Sequence, residues 1–135
     1  MSLLPWECVI LGVPASLQGS SSRRRAWKAD VSAAARKVWP AAVAPLTSSL
    51  SVTITFFHQG SPLDVDNMLK PIQDALCGIA FVDDAQVTDV HGSLRDVNGA
   101  FKVCGLSAAL AEGFVSGGPF VHIKLEESPG HEELP

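Results

Sequence analysis

Several large classes are excluded by what this chain does not contain. It has only three cysteines, Cys8, Cys77 and Cys104. An odd count at these wide spacings offers neither a complete disulfide framework nor a metal-binding Cys pattern. They read as reduced core residues of a cytosolic, hence cytoplasmic, protein. Long hydrophobic runs are missing as well. No segment approaches the roughly 18 apolar residues of a membrane span, so no membrane partner is expected. The opening "MSLLPWECVILGVPAS" has no basic n-region and carries Glu7 within it, which suits a strand better than a signal peptide. Charge is sparse, 18% of residues with a net of −4. That is not the strongly basic profile of a protein that coats nucleic acid. No internal repeat is present, and His91, His122 and His131 show no ligand pairing. His58 closes an apolar stretch and reads as structural.

What remains is a globular composition, 47% hydrophobic over 135 residues, enough for one domain with its own core. The domain is expected over 1–127, with 128–135 as an acidic, disordered tail. Charge is unevenly spread. Arg23, Arg24, Arg25, Lys28, Arg36 and Lys37 lie close together, whereas Glu126, Glu127, Glu132 and Glu133 crowd the end. Without those four acids the chain is neutral. A neutral body with one basic segment still attracts a polyanion locally.

Periodicity supplies the elements. "WECVILGV" reads as a strand and "PASLQGSSSRRR" as a polar loop. Val31, Ala34, Ala35 and Val38 recur at helical spacing within Ala26–Trp39. "LSVTITFFH" is rich in β-branched and aromatic residues, a strand signal. "QGSPL" is a turn. Val65–Leu76 reads as a helix stopped by Gly78. Pro71 lacks a backbone donor, which places the helix start near Asn67. Short strands are expected at "IAFV" and "AQVTDVHGSL", a short helix over Ser107–Glu112, and a last strand at "FVHIKLE". The expected fold is α/β (α+β): one small domain with a mixed sheet of about five strands and two main helices.

The chemistry concentrates in "SPLDVDNMLKPIQDAL" and "FVDDAQV". On the first helix face, Val65, Met68, Leu69, Ile72 and Leu76 form an apolar stripe. Asp66, Lys70 and Asp74 step by four along another face. Asp64 precedes the helix in extended chain, on the side of Asp66. An Asp at a helix start is an ordinary cap, and Asp66–Lys70 an ordinary ion pair. That accounts for one or two acids and leaves Asp83 and Asp84, of which one can aim at the same corner. Two carboxylates about 5 Å apart at an effective dielectric of ~20 repel by roughly 3 kcal/mol. If three converge, a cation or bound protons must accompany them, and hard oxygen ligands suit Mg²⁺.

The segment "DVDNMLKPIQDALCGIAFVDDAQVTD", residues 64–89, resembles the signature of the RusA family of Holliday junction resolvases. That pattern is Asp-x-Asp-Asn, a Lys four residues after the second Asp, then Asp-Ala-Leu, and an apolar-Asp-Asp-x-Gln segment. The resemblance implies a homodimeric, Mg²⁺-dependent endonuclease (Mn²⁺ as the substitute ion) acting on branched DNA. It implies that Asp64, Asp66 and Asp84 are metal-binding catalytic acids and that Lys70 is a catalytic lysine. Asn67 and Asp83 would lie behind them, Asn67 serving the helix start. Arg23, Arg24, Arg25 and Lys28 are the candidate DNA contacts. The chain departs from the pattern in lacking a basic cluster just before the motif, and in a long segment around residues 101–118. The alternative is a RusA-like module that holds branched DNA or a protein partner without efficient cleavage.

Overall fold

Alternation of apolar and polar residues builds the sheet. In β1, Trp6–Leu11, the side chains of Trp6, Cys8 and Ile10 are buried. In β2, Leu50–His58, Leu50, Val52, Ile54 and Phe56 are buried. In the last strand, Phe120–Glu127 (β4), Val121, Ile123 and Leu125 point to the same core. Between β2 and β4 in the chain comes β3, Val87–Asp96, at the edge of the sheet. The protein is described by a computed structural model over residues 3–15, 19–60, 64–99 and 106–129. Its sheet has the order β1-β4-β2-β3. β4 runs antiparallel to β1 and β2, and β2 and β3 are parallel. Hence β1, β2 and β3 all point the same way, and the chain's last strand occupies an interior position.

Two helices cover the core face. α1, Ser21–Val38, buries Trp27, Val31 and Ala35. α2, Val65–Leu76, buries Met68, Pro71, Ile72, Ala75 and Leu76. Trp6 Nε1 donates to Val38 O at 3.3 Å, so α1 ends where β1 begins. Ser32 Oγ donates to Ala75 O at 3.2 Å, tying α1 to α2. Gly92 of β3 makes room for α2: an added Cβ would stand 3.1 Å from a Leu69 methyl and 3.3 Å from Val65. Both helices run back against the parallel strands, so both begin at the strands' C-terminal end.

The opposite face is covered in part by α3, Ala108–Val115. Phe114 packs edge-on against Phe57 and Phe120, which stack on each other at 4.5 Å. Gly113 is required there, because a Cβ would lie 2.3 Å from the Phe120 ring. Ser107, the cap of α3, donates to Glu7 Oε1 at 2.8 Å, and His122 Nε2 meets the same oxygen at 2.6 Å. Burial pushes the Glu7 carboxyl up, but Ser107 and His122 outweigh it and hold it below the usual carboxylate range.

The result is a small α+β domain, with a four-stranded mixed sheet and three α-helices among the described residues, against about five strands and two main helices expected. "IAFV" is not a strand. After α2 the chain turns at Gly78, at φ +88°, and Gly78 N bonds Phe81 O at 2.7 Å. Ile79, Ala80 and Phe81 are buried as a connector. α1 begins five residues before Ala26, so the three arginines expected in a loop lie on a helix. Ser20 caps it, accepting from Arg23 N at 3.2 Å. α2 begins at Val65, two residues before the position inferred from Pro71. Residues 1–2, 16–18, 61–63, 100–105 and 130–135 lie outside the described residues, among them part of the expected loop "PASLQGSSSRRR". With them go most of the expected turn "QGSPL", part of the long segment with Cys104, and most of the expected tail.

Candidate active site

The beginning of α2 carries the first half of the acidic motif. Asp64 is the N-cap residue in extended conformation, and its side chain makes no capping hydrogen bond. Its carbonyl instead accepts from Asn67 N at 3.1 Å. Asp66 lies in the first turn, where the helix dipole favours negative charge. Both aspartates are exposed. Because Val65, Met68 and Leu69 are drawn into the core, the intervening positions are turned outward.

The second half of the motif sits on a short 3-10 helix, Asp84–Gln86. Asp83 caps it, accepting from Ala85 N at 3.1 Å. Gln86 fixes the turn from four directions. Its Oε1 accepts from Val82 N and Asp83 N at 2.9 Å, and its Nε2 donates to Leu46 O at 2.8 Å and Ser48 O at 2.9 Å. In the sequence Gln86 is only a letter of the motif; its role depends on carbonyls about forty residues away.

Lys70 joins the two halves. Its Nζ lies 2.9 Å from Asp74 Oδ1 and 3.0 Å from Asp84 Oδ2. The expected Asp66–Lys70 pair is thus replaced by pairs to Asp74 and Asp84. Hydrogen bonds to Asp74 and then to Asp84 hold the ammonium well above the usual lysine range. Lys70, followed by Asp83, holds the Asp84 carboxyl below the usual range. Asp83 and Asp84 therefore serve different ends: one closes the local turn, the other reaches α2.

A hard divalent ion calls for several oxygen ligands around one point. Asp64, Asp66 and Asp84 supply the right donor type on exposed side chains. Among the described residues, however, no three acids, histidines or cysteines are gathered closely enough to hold a metal. Asp84 is turned to Lys70 instead.

The basic candidates occupy the start of α1. Arg23 Nη2 donates to Val13 O at 3.3 Å, Arg25 and Lys28 are exposed, and Arg24 is half-buried. Since α1 and α2 begin at the same end of the sheet, this cationic turn and the acidic start of α2 share that end. In parallel α/β arrangements, ligands bind at the carboxyl ends of strands.

Residues 18–104 match the family model described as "Endodeoxyribonuclease RusA". The matched region takes in α1, β2, α2, the Asp84 turn and β3. No curated protein matches the chain.

Proposed function

Because the chain belongs to the RusA family of endodeoxyribonucleases, we propose that it resolves four-way DNA junctions by metal-dependent phosphodiester hydrolysis. Asp64, Asp66 and Asp84 would hold Mg²⁺, for which Mn²⁺ can substitute. Such an ion polarises the phosphoryl oxygen, lowers the pKa of water and steadies the leaving oxygen. The observation that best supports this reading is the 3.0 Å contact between Lys70 and Asp84. It brings both halves of the motif to one place, though they are fourteen residues apart.

The protein's own residues have separable tasks. Lys70 keeps a positive charge beside the carboxylates and is positioned to meet the negative charge that grows on a phosphate in the transition state. Asp74 holds that ammonium in place along the helix. Asp83 and Gln86 orient Asp84 without facing the substrate, and Asn67 serves the helix start. Arg23, Arg24, Arg25 and Lys28 contact phosphates of the DNA arms. A homodimer gives one site for each of two scissile strands in a two-fold junction. The reading places the protein in the cytoplasm; no described helix is long and apolar enough to cross a membrane.

Binding of branched DNA without efficient cleavage is the second reading, favoured by the absence of a gathered acidic cluster among the described residues. One assay separates the two. A synthetic four-way junction is incubated with wild type, Asp64→Asn and Asp66→Asn, with and without Mg²⁺. Wild type is expected to cut only with the ion, and each variant to lose cleavage while retaining binding. Binding without cleavage by the wild type in Mg²⁺ or Mn²⁺ would establish the second reading.

A further inference from the structure

The one cation of the acidic motif is spent on the half that lies away from the start of α2. Between Asp64 and Asp89 the sequence holds a single basic residue, Lys70. Its Nζ meets Asp74 at 2.9 Å and Asp84 at 3.0 Å. Asp66 stands one helical turn before Lys70, as Asp74 stands one turn after it. Yet among the described residues neither Asp64 nor Asp66 has an ion-pair partner. Two of the three acids assigned to the ion thus keep their charge, and the third is covered by an ammonium.

That contact can be exchanged at little cost. Gln86 pins the Asp84 turn through four hydrogen bonds, so the carboxylate stands on a fixed support. Lys70 instead ends a flexible four-carbon stem with three rotatable donors. Its side chain is 50% exposed, and those of Asp84 and Asp74 are 47% and 36% exposed. Ion pairs as open as these are weak. Asp74 offers a second seat, about 6 Å along the helix axis from Lys70 and on the side away from Asp66.

We infer that Lys70 is the resident cation of this site: it holds Asp84 while no divalent ion is bound, and withdraws onto Asp74 alone when an ion takes Asp84. The inference rests on the metal-dependent reading proposed above and names what regulates that site. An ammonium beside a divalent ion is repelled twice as strongly as by a unit charge. Lys70 is the mobile partner of Asp84, so it is the one to move. Asp74 is then a positioning residue rather than a ligand. It keeps the ammonium close to the acids, with the donors released from Asp84 free to face a phosphate.

Linkage gives the signs. Whatever loosens Lys70 from Asp84 tightens the ion, and whatever strengthens that pair weakens it. Removing the lysine opens Asp84. Removing Asp74 leaves Asp84 as the sole partner of Lys70 and strengthens the competing pair.

The test is a titration of the full chain with Mn²⁺ alone, without DNA, read by the relaxation of water protons. Lys70→Gln should bind Mn²⁺ about tenfold more tightly than wild type, within the usual range of coupling between two ligands. Lys70→Arg, which keeps the charge, should show no such gain. Asp74→Asn should bind about threefold more weakly, the scale of one exposed ion pair. In the Lys70→Gln background the same change should cost much less, because its effect passes through the lysine. All four side-chain changes are at the surface, and circular dichroism should be that of wild type. Equal affinity of Lys70→Gln and wild type would overturn the competition, and if wild type still cuts a junction only with the ion, the metal-dependent reading stands without it. An equal or larger loss on Asp74→Asn in the Lys70→Gln background would make Asp74 act on the ion directly and overturn the withdrawal. No Mn²⁺ binding by wild type or any variant, with no cleavage by wild type, would overturn the metal site and this inference together.

Discussion

Lys70 shows how much one side chain carries. It is half-exposed, yet it is the only described group that bonds both α2 and the Asp84 turn. Replacing it with glutamine should lower junction cleavage by about 10²-fold or more, the usual scale for losing one preorganised electrostatic partner. Single-turnover cleavage measures this. The variant should also let the Asp84 carboxyl rise toward the ordinary range, because lysine is the first cause of its depression; carboxyl NMR titration reads that directly. Gln86 invites a second substitution. Gln86→Ala removes four hydrogen bonds and leaves the carbonyls of Leu46 and Ser48 to water. A loss of about 2 kcal/mol is expected, measurable by denaturant unfolding. The residue types of the site are legible in the sequence. Their partners are not: Asp66 and Asp84 are equally good partners for Lys70 until the connector has folded.

α3 is held to the sheet by an element-scale device, the Glu7–His122–Ser107 contact together with the Phe57–Phe114–Phe120 cluster. Glu7 has a depressed folded-state pKa. A depressed acid contributes stability that is present above its unfolded value and is lost as pH falls through the folded value. The thermal midpoint should therefore drop on acidification across and below the usual carboxylate range. Glu7→Gln should lower stability at neutral pH and flatten that acid limb; differential scanning fluorimetry across pH checks it. Elements are legible where the pattern is unambiguous. β2 and β4 alternate cleanly and α2 has a continuous apolar stripe. α1 is longer than its periodicity suggests because its first turn holds serines and arginines with no acidic residue, so nothing marks a helix start apart from Ser20. "IAFV" misleads because a short apolar run fits a buried strand and a buried connector equally well.

At the scale of the molecule, a chain of net charge −4 must hold a polyanion. On the proposed reading, attraction comes from the start of α1, at the end of the sheet where the acids also lie. Changing Arg23, Arg24 and Arg25 together to alanine should weaken junction binding and flatten its salt dependence. On duplex DNA the slope should fall by roughly 0.9 for each phosphate that is no longer neutralised. A salt titration in Ca²⁺ measures this; parallel lines of equal affinity would remove these residues from the interface. The basic segment is visible in the sequence, but its place relative to the acids is not. That depends on β1 and β2 being parallel although neither touches the other, a relation set by the strand between them.

That intervening strand also orders events in time. β4 joins β1 to β2, pairing Trp6 with Leu125 and Ile54 with Ile123, and it is made after every other element of the sheet. A nascent chain that has released everything before Phe120 owns two blocks, β1 with α1 and β2-α2-β3, with no hydrogen-bonded link between their strands. The apolar faces of β1 and β2 then await Phe120–Glu127, and local contacts cannot substitute for that closure. The sheet is thus committed to closing only once β4 has left the ribosome. A chain stopped just short of that strand has every residue of the acidic motif and no complete sheet to hold it.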